Sequence, residues 1–332
     1  MKILITGATG FIGGELTRFI SCQGYSVRAQ CRPTSDIAAL SNDTVQVCWG
    51  DVLDFSSVKK AVDGCDYVFH LAGYAKNWAK NPRTFFEVNV SGTKNVLDAS
   101  KQANVKKVVV TSSCMTFGPS NGTPIKESDE RTAEFLTEYE RTKFYAEELV
   151  ADYAGDGLPV VIVNPTRVFG PGLLTEGNSV TTMVQLYLKG KWRLILGDGS
   201  SIGNYASVED VVRGHWLALL RGRPGEKYIL GGENLSYNEF FEVLANISRR
   251  RYQMIRVPVW TALAVSNVEE LRARWFSHYP LITPPWLKTF VADWAFSSGK
   301  AQTELGYTIT PFRKALHKTI AWLNQISNKS GR

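Results

Sequence analysis

Lys2-Ile-Leu-Ile-Thr6 runs directly into Gly7-Ala-Thr-Gly10-Phe-Ile-Gly13, and a helical pattern follows from Gly14 to about Ser21. The first five residues are of the apolar, β-branched kind that suits a parallel strand buried on both faces. Glycines at a spacing of three allow a tight turn, close backbone approach to a pyrophosphate and close packing of helix on strand, while the helix N-terminus favours an anion. Strand, glycine turn and helix in this order read as a nucleotide-binding unit.

Outward from that unit, apolar runs recur at Ile3–Ile5, Ser26–Gln30, Val45–Val47, Tyr67–Phe69, Val108–Val110 and Val160–Val163, separated by helix-length stretches. Such alternation is the pattern of right-handed crossovers, so the expected fold class is α/β: a doubly wound parallel sheet of the Rossmann kind with helices on both faces. Ligands of such sheets bind beyond the carboxyl ends of the strands. Asp51, His70 to Gly73, Ser113 and Asn164 all follow strand ends and are expected to line one crevice, with loop capping as the other reading of Asp51 and Asn164.

Tyr139 and Lys143 stand four residues apart, on one face of a helix. An ammonium beside a phenol favours the ionised phenol, which otherwise titrates near pH 10, and makes Tyr139 a candidate acid and base. Ser112 and Ser113 compete for the role of a neutral hydroxyl beside a reacting oxygen, because alternation turns only one of them toward the crevice. Cys114 reads as a packing residue, since no His or carboxylate accompanies it nearby. The second strand, Arg28-Ala-Gln-Cys-Arg32, carries no acid at its end. Arg28, Gln30 and Arg32 alternate onto one side, and positive charge there suits a ribose 2′-phosphate, so NADP(H) is expected as cofactor. NAD(H) is the alternative if Asp36 reaches the ribose.

The 332 residues, 44% of them hydrophobic, exceed what one nucleotide-binding sheet needs. Residues 1–166 and 205–231 are expected to form the nucleotide domain, and residues 167–204 and 232–332 a smaller C-terminal α/β substrate lobe. Cysteines 22, 31, 48, 65 and 114 lack paired metal spacing, no signal peptide precedes the first strand, and no apolar run is long enough to span a bilayer. A cytoplasmic protein without a metal is expected. The formal charge of +7 is concentrated at Arg249-Arg-Arg251 with Arg256 and at Arg272-Ala-Arg274 beside Trp275 and Phe276, read as a solvated face rather than a nucleic-acid surface. Val257–Val265 and Trp275–Trp286 are unusually apolar and aromatic, which fits core packing, a lid over a hydrophobic ring substrate or, third, a peripheral membrane contact.

With these motifs in order, the chain resembles the extended branch of the short-chain dehydrogenase/reductase superfamily. The matching stretches are Gly7, Gly10 and Gly13, then Gly50-Asp-Val52, His70-Leu-Ala-Gly73, Asn89–Asn95, Thr111-Ser-Ser113, Tyr139 to Lys143, Asn164-Pro165, Tyr205–Asp210 and Lys300–Gly306. The resemblance implies that Tyr139 moves the substrate hydroxyl proton, that Lys143 holds the nicotinamide ribose and lowers the phenol pKa, and that Ser113 bonds the reacting oxygen. It places cofactor contacts at Gly7, Thr9, Gly10, Phe11, Ile12, Arg32, Asp51, Val52, Leu71, Ala72, Gly73, Asn89, Tyr139, Lys143 and Pro165. Nucleotide-sugar epimerases of this branch carry a basic residue just before the segment matching Tyr205, where this chain has Gly203-Asn204. The second-strand arginines and the Lys300–Tyr307 ending look more like dihydroflavonol 4-reductases, 3β-hydroxysteroid dehydrogenases and hopanoid-associated epimerase-like members. The implied activity is reversible hydride transfer between NADP(H) and a carbonyl or secondary alcohol of a lipophilic molecule, polycyclic ones included. The alternatives are an NAD-dependent nucleotide-sugar epimerase or dehydratase and a non-catalytic NADP-binding sensor or scaffold. The resemblance also implies a homodimer through helices near residues 89–103 and 139–154.

Overall fold

The computed structural model describes residues 1–40, 44–276, 279–280 and 282–330. Ser277, His278 and Leu281 of the aromatic stretch lie outside the described residues, as do the side chains of Arg274 and Phe276. The first half of the chain runs β1 (Lys2–Thr6), α1 (Phe11–Cys22), β2 (Ser26–Cys31), β3 (Val45–Trp49), α2 (Phe55–Val62), β4 (Tyr67–His70), α3 (Arg83–Phe86), α4 (Gly92–Gln102), β5 (Lys107–Thr111), α5 (Glu138–Gly155) and β6 (Val160–Pro165). The second half runs β7 (Arg167–Phe169), α6 (Ser179–Leu188), β8 (Leu194–Leu196), β9 (Ile202–Ser207), α7 (Val208–Arg221), β10 (Lys227–Leu230), β11 (Glu233–Ser236), α8 (Tyr237–Ser248), β12 (Ile255–Val257), α9 (Val259–Phe276), α10 (Pro284–Val291) and α11 (Phe312–Ser330).

Seven strands form one parallel sheet in the order β10-β6-β5-β4-β1-β2-β3. All six runs expected as strands are in it, and the order reverses between β1 and β4, where a doubly wound sheet opens its crevice. Each face of the sheet carries its own core. Ile3, Ile5, Val27, Phe69, Val109 and Val161 pack under α1 and α7, while Leu4, Val68, Val108, Val110 and Ile162 pack under α2, α4 and α5. Alternate residues of one strand therefore serve opposite layers, and both sets need to be apolar.

A three-stranded sheet, β11-β9-β7, and the pair β12-β8 belong to the second part of the chain. Phe169, Tyr205, Phe240 and Phe312 centre their core, with ring centroids 4.9–5.7 Å apart. Tyr205, at the start of the expected return to the nucleotide domain, lies on β9 in the smaller sheet, and the chain rejoins the large sheet through α7 and β10. In the apolar stretches the side chains divide: Trp260 and Trp275 are 72% and 74% exposed on α9, whereas Leu287 is buried.

Two buried histidines tie helices to strands. His70 joins Thr6 on β1 to Thr93 on α4 at 2.8 and 3.0 Å, and His215 joins Thr111 to the Val211 carbonyl at 2.9 and 2.7 Å. Burial lowers His70 to about 3 and His215 to about 4. Both values lie below the unfolded value near 6.5, so the unfolded chain takes up these protons first and stability is lost as pH falls below 6.5. At pH 5 each group should remove about 2 kcal/mol relative to pH 7. Urea unfolding at the two pH values should show this loss, and a His70→Gln/His215→Gln variant should abolish most of the difference; an unchanged slope in the variant contradicts the assignment.

Candidate active site

Gly7 adopts φ +72°, and a Cβ there would stand 2.6 Å from the Ala72 nitrogen. The ends of β1 and β4 thus touch through a glycine, at the point where strand order reverses. A Cβ on Gly13 would lie 2.1 Å from the Gly7 carbonyl oxygen, so the first turn of α1 rests directly on the turn that precedes it. Gly10 caps α1 without a side-chain bond, and no acid occupies the first turn. The N–H groups at this helix start are therefore available to an anion, and the glycines leave a cradle that side chains would fill; a dinucleotide pyrophosphate fits it. Thr9 and Ile12 are partly exposed around the cradle, and the Phe11 ring packs beneath Gly172 of the segment after β7.

The opposite wall is α5. Its first turn is capped by Thr137, which accepts from the Glu140 N–H at 3.2 Å, and it brings Tyr139 and Lys143 to the ends of β4 and β5. Lys143 is buried, and its Nζ donates to the Thr111 carbonyl at 2.7 Å. Burial lowers its pKa to about 8, with Glu147, one turn on, opposing the shift. A Cβ on Gly73 would lie 3.9 Å from Lys143 Nζ, so the loop after β4 passes beside the ammonium. Tyr139 is pushed up to about 12 by burial, and the Ser113 hydroxyl, close by, opposes that rise. Lys143, expected to lower the phenol, has its ammonium turned onto the Thr111 carbonyl, and burial dominates the shift of Tyr139.

The two serines part ways. Ser112 donates to the buried Glu147 carboxylate, whereas the Ser113 hydroxyl accepts from Met115 N–H at 3.3 Å and lies beside the phenol. Cys114 is buried, which raises its thiol to about 12 and leaves it inert at neutral pH. Sequence reasoning missed Glu147, which also accepts from Thr116 (2.9 Å), Asn164 (2.7 Å) and Lys227 (2.6 Å). Its position eight residues after Tyr139, on the same helical face, was the available signal.

Three residues expected to face the crevice instead brace it. Asn164 is fully buried and donates to the Ser113 carbonyl at 3.0 Å, and His70 is held between Thr6 and Thr93. Asn89, read as a cofactor contact, is also fully buried. Its Oδ1 accepts from Tyr74 N–H at 2.7 Å and its Nδ2 donates to Thr142 at 3.0 Å, which fixes the Leu71–Gly73 loop against α5. Pro165 ends β6, buried beside Leu230. Asp51 turns Oδ1 onto its own loop, accepting from Leu53 N–H at 3.0 Å, and Val52 packs buried against Gly92.

At the adenosine end Arg28 is a second correction. It donates to the carbonyls of Ala61 and Asp63 at 2.8 and 2.7 Å, closing the C-terminus of α2, because those last-turn carbonyls need donors. Gln30 is buried, and Arg32 is exposed just past the end of β2. Asp36 caps its own turn through Ala38 N–H at 2.9 Å. Elsewhere the arginine clusters bond within the lobe: Arg250 donates to the Leu188 carbonyl, Arg251 to Asn246 and Arg272 to Glu269. No helix among the described residues is long and apolar enough to cross a membrane.

The model of the NAD dependent epimerase/dehydratase family matches residues 3–231. The chain is 30% identical over 324 residues to a putative dihydroflavonol 4-reductase of Synechocystis sp., covering 96% of this chain and 93% of that protein. It is 29% identical to sterol demethylase protein B of Methylococcus capsulatus, covering 98% of this chain and 99% of the relative. Among solved structures, UDP-glucose 4-epimerase of Thermotoga maritima superposes with a TM-score of 0.83 at 22% identity, over 98% of this chain and all of that one, a likeness of fold.

Proposed function

The chain belongs to the NAD dependent epimerase/dehydratase family and is an NAD(P)-dependent oxidoreductase, and from that premise we propose that it transfers hydride between NADP(H) and a carbonyl or secondary alcohol of a lipophilic substrate. The carrying observation is the meeting of Ser113, Tyr139 and Lys143 at the carboxyl ends of β4 and β5, opposite the glycine cradle. The nicotinamide supplies or accepts the hydride. Ser113 donates a hydrogen bond to the reacting oxygen, and Tyr139 delivers the proton to it as charge develops there. A phenol raised to about 12 is protonated at neutral pH, the form needed in the reductive direction. Lys143, lowered by burial to about 8, is still mostly an ammonium at pH 7, and in this reading it holds a ribose hydroxyl.

The likeness to proteins named for dihydroflavonol and sterol chemistry supports a lipophilic substrate, and exposed Arg32, with the Asp36 carboxylate turned onto Ala38 N–H, supports NADP(H). Arg32→Ala tests the cofactor reading. Titration by energy transfer from tryptophan to the reduced nicotinamide should show NADPH bound at least tenfold tighter than NADH by the native protein. The variant should lose that preference through weaker NADPH binding alone, a charge-assisted phosphate contact contributing on the order of 1.5–3 kcal/mol. Equal binding of the two cofactors by the native protein moves the reading to NAD-dependent epimerisation.

A further inference from the structure

Arg167 opens β7 three residues after Asn164, the residue that holds the Ser113 carbonyl. It is only partly exposed, and its charge reaches the Cys114 thiol beside Ser113. Among the described residues it has no carboxylate partner: Nη1 donates to the Tyr237 hydroxyl at 2.7 Å, and the guanidinium lies 5.8 and 5.5 Å from the Tyr205 and Tyr237 ring centroids. A guanidinium has five donors and is always charged, and a charge withdrawn from water is rarely left without an opposite charge. The buried Tyr205 hydroxyl lies beside the same guanidinium and, among the described residues, makes no well-aligned hydrogen bond.

Gly203 is the reason the guanidinium fits. β7 pairs with β9 so that Arg167 lies opposite Tyr205, and a Cβ on Gly203 would stand 2.8 Å from Arg167 Nη1 and 3.0 Å from the Tyr205 hydroxyl. The absence of a basic side chain at position 203 is therefore made good in space by an arginine from the neighbouring strand.

We propose that the partly exposed Arg167, backed by Tyr205 and Tyr237, forms an anion subsite that seats a carboxylate of the substrate; the inference rests on the hydride-transfer reading and narrows its substrate class to lipophilic hydroxy or keto acids. The guanidinium matches a carboxylate in two parallel hydrogen bonds, which also fixes the orientation of the molecule relative to Ser113 and Tyr139.

The test uses the full-length protein with saturating NADP(H). Cyclic β-hydroxy acids such as 2-hydroxycyclohexanecarboxylate, bile acids, and the methyl esters of both are compared for binding and turnover, with UDP-glucose as a separate arm. The native protein should prefer acids over esters by at least tenfold in kcat/KM. Arg167→Gln should lose roughly 10- to 100-fold on the acids and little on the esters, with NADPH affinity unchanged. Arg167→Lys, which keeps the charge, should retain part of the preference, and Gly203→Ala should reduce it by displacing the guanidinium. Thermal melting of each variant separates loss of fold from loss of recognition. Acids bound no better than esters overturn the subsite while leaving hydride transfer standing if the esters turn over. UDP-glucose bound in place of the acids, and weakened by Arg167→Gln, overturns both the carboxylate and the lipophilic reading.

Discussion

Tyr139→Phe should lower turnover of a ketone substrate by about a hundred- to ten-thousand-fold while NADPH binds as before. The phenol ring is partly buried at the start of α5, and replacing it by phenylalanine removes one hydroxyl and no packing volume of consequence. The cradle lies on other elements, so cofactor affinity is not expected to change. The proton lost is the one that neutralises the oxygen as hydride arrives. Because the hydroxyl is protonated well past pH 8, the reductive rate in the native protein should not fall with the titration of Tyr139 itself. It should fall instead as Lys143 loses its charge around pH 8. Steady-state kinetics from pH 6 to 10 on native protein and variant read both effects. A variant with undiminished turnover contradicts the role of Tyr139, and preserved binding function without any native turnover favours the sensor alternative.

Gly13→Ala should have the largest effect on the cofactor. The added carbon meets backbone: 2.1 Å from the Gly7 oxygen, 2.8 Å from the Gly7 carbon and 3.2 Å from the Ala8 Cα. None of these atoms can turn aside as a side-chain tip would, so α1 must lift from the turn and the N–H groups around Gly10 lose their common aim. A loss of at least a hundredfold in NADPH affinity is expected, with a stability loss of about 1–3 kcal/mol or more from overpacking. Gly14→Ala is the control: its Cβ meets only the Ala8 oxygen at 3.5 Å, an ordinary contact, and alanine favours the helix by about 1 kcal/mol. Comparable damage from the two substitutions would show that the close approach at Gly13 does not shape the site.

The large sheet was legible because its strands are buried on both faces and so read as short apolar runs; each of the six expected runs forms a strand. The glycine turn was legible for a related reason, since Gly7 and Gly13 each lie where a side chain would meet backbone. What stayed hidden depends on contacts between distant segments. Arg28 resembles Arg32 in sequence, yet the C-terminus of α2, more than thirty residues away, claims it. Asn89 and Asn164 follow strand ends or open helices as crevice residues do, but neighbouring elements use their amides to hold Tyr74 and Ser113. Glu147 gathers Ser112 and Thr116, Asn164 and Lys227 from three parts of the chain, and spacing along α5 does not name those partners. Spacing gives Tyr139 and Lys143 a shared helical face but not where the ammonium donates, which is the Thr111 carbonyl.

The central claim is net hydride transfer to a lipophilic carbonyl, and its most direct measurement follows deuterium from C4-labelled NADPH into product across a panel of ring ketones, beside UDP-glucose as competitor substrate. One deuterium is expected in the new carbinol for each NADPH oxidised when both C4 hydrogens are labelled, with Tyr139→Phe forming it about a hundred- to ten-thousand-fold more slowly. Interconversion of the nucleotide sugar without net oxidation of NADPH, and no label in any alcohol, would contradict it.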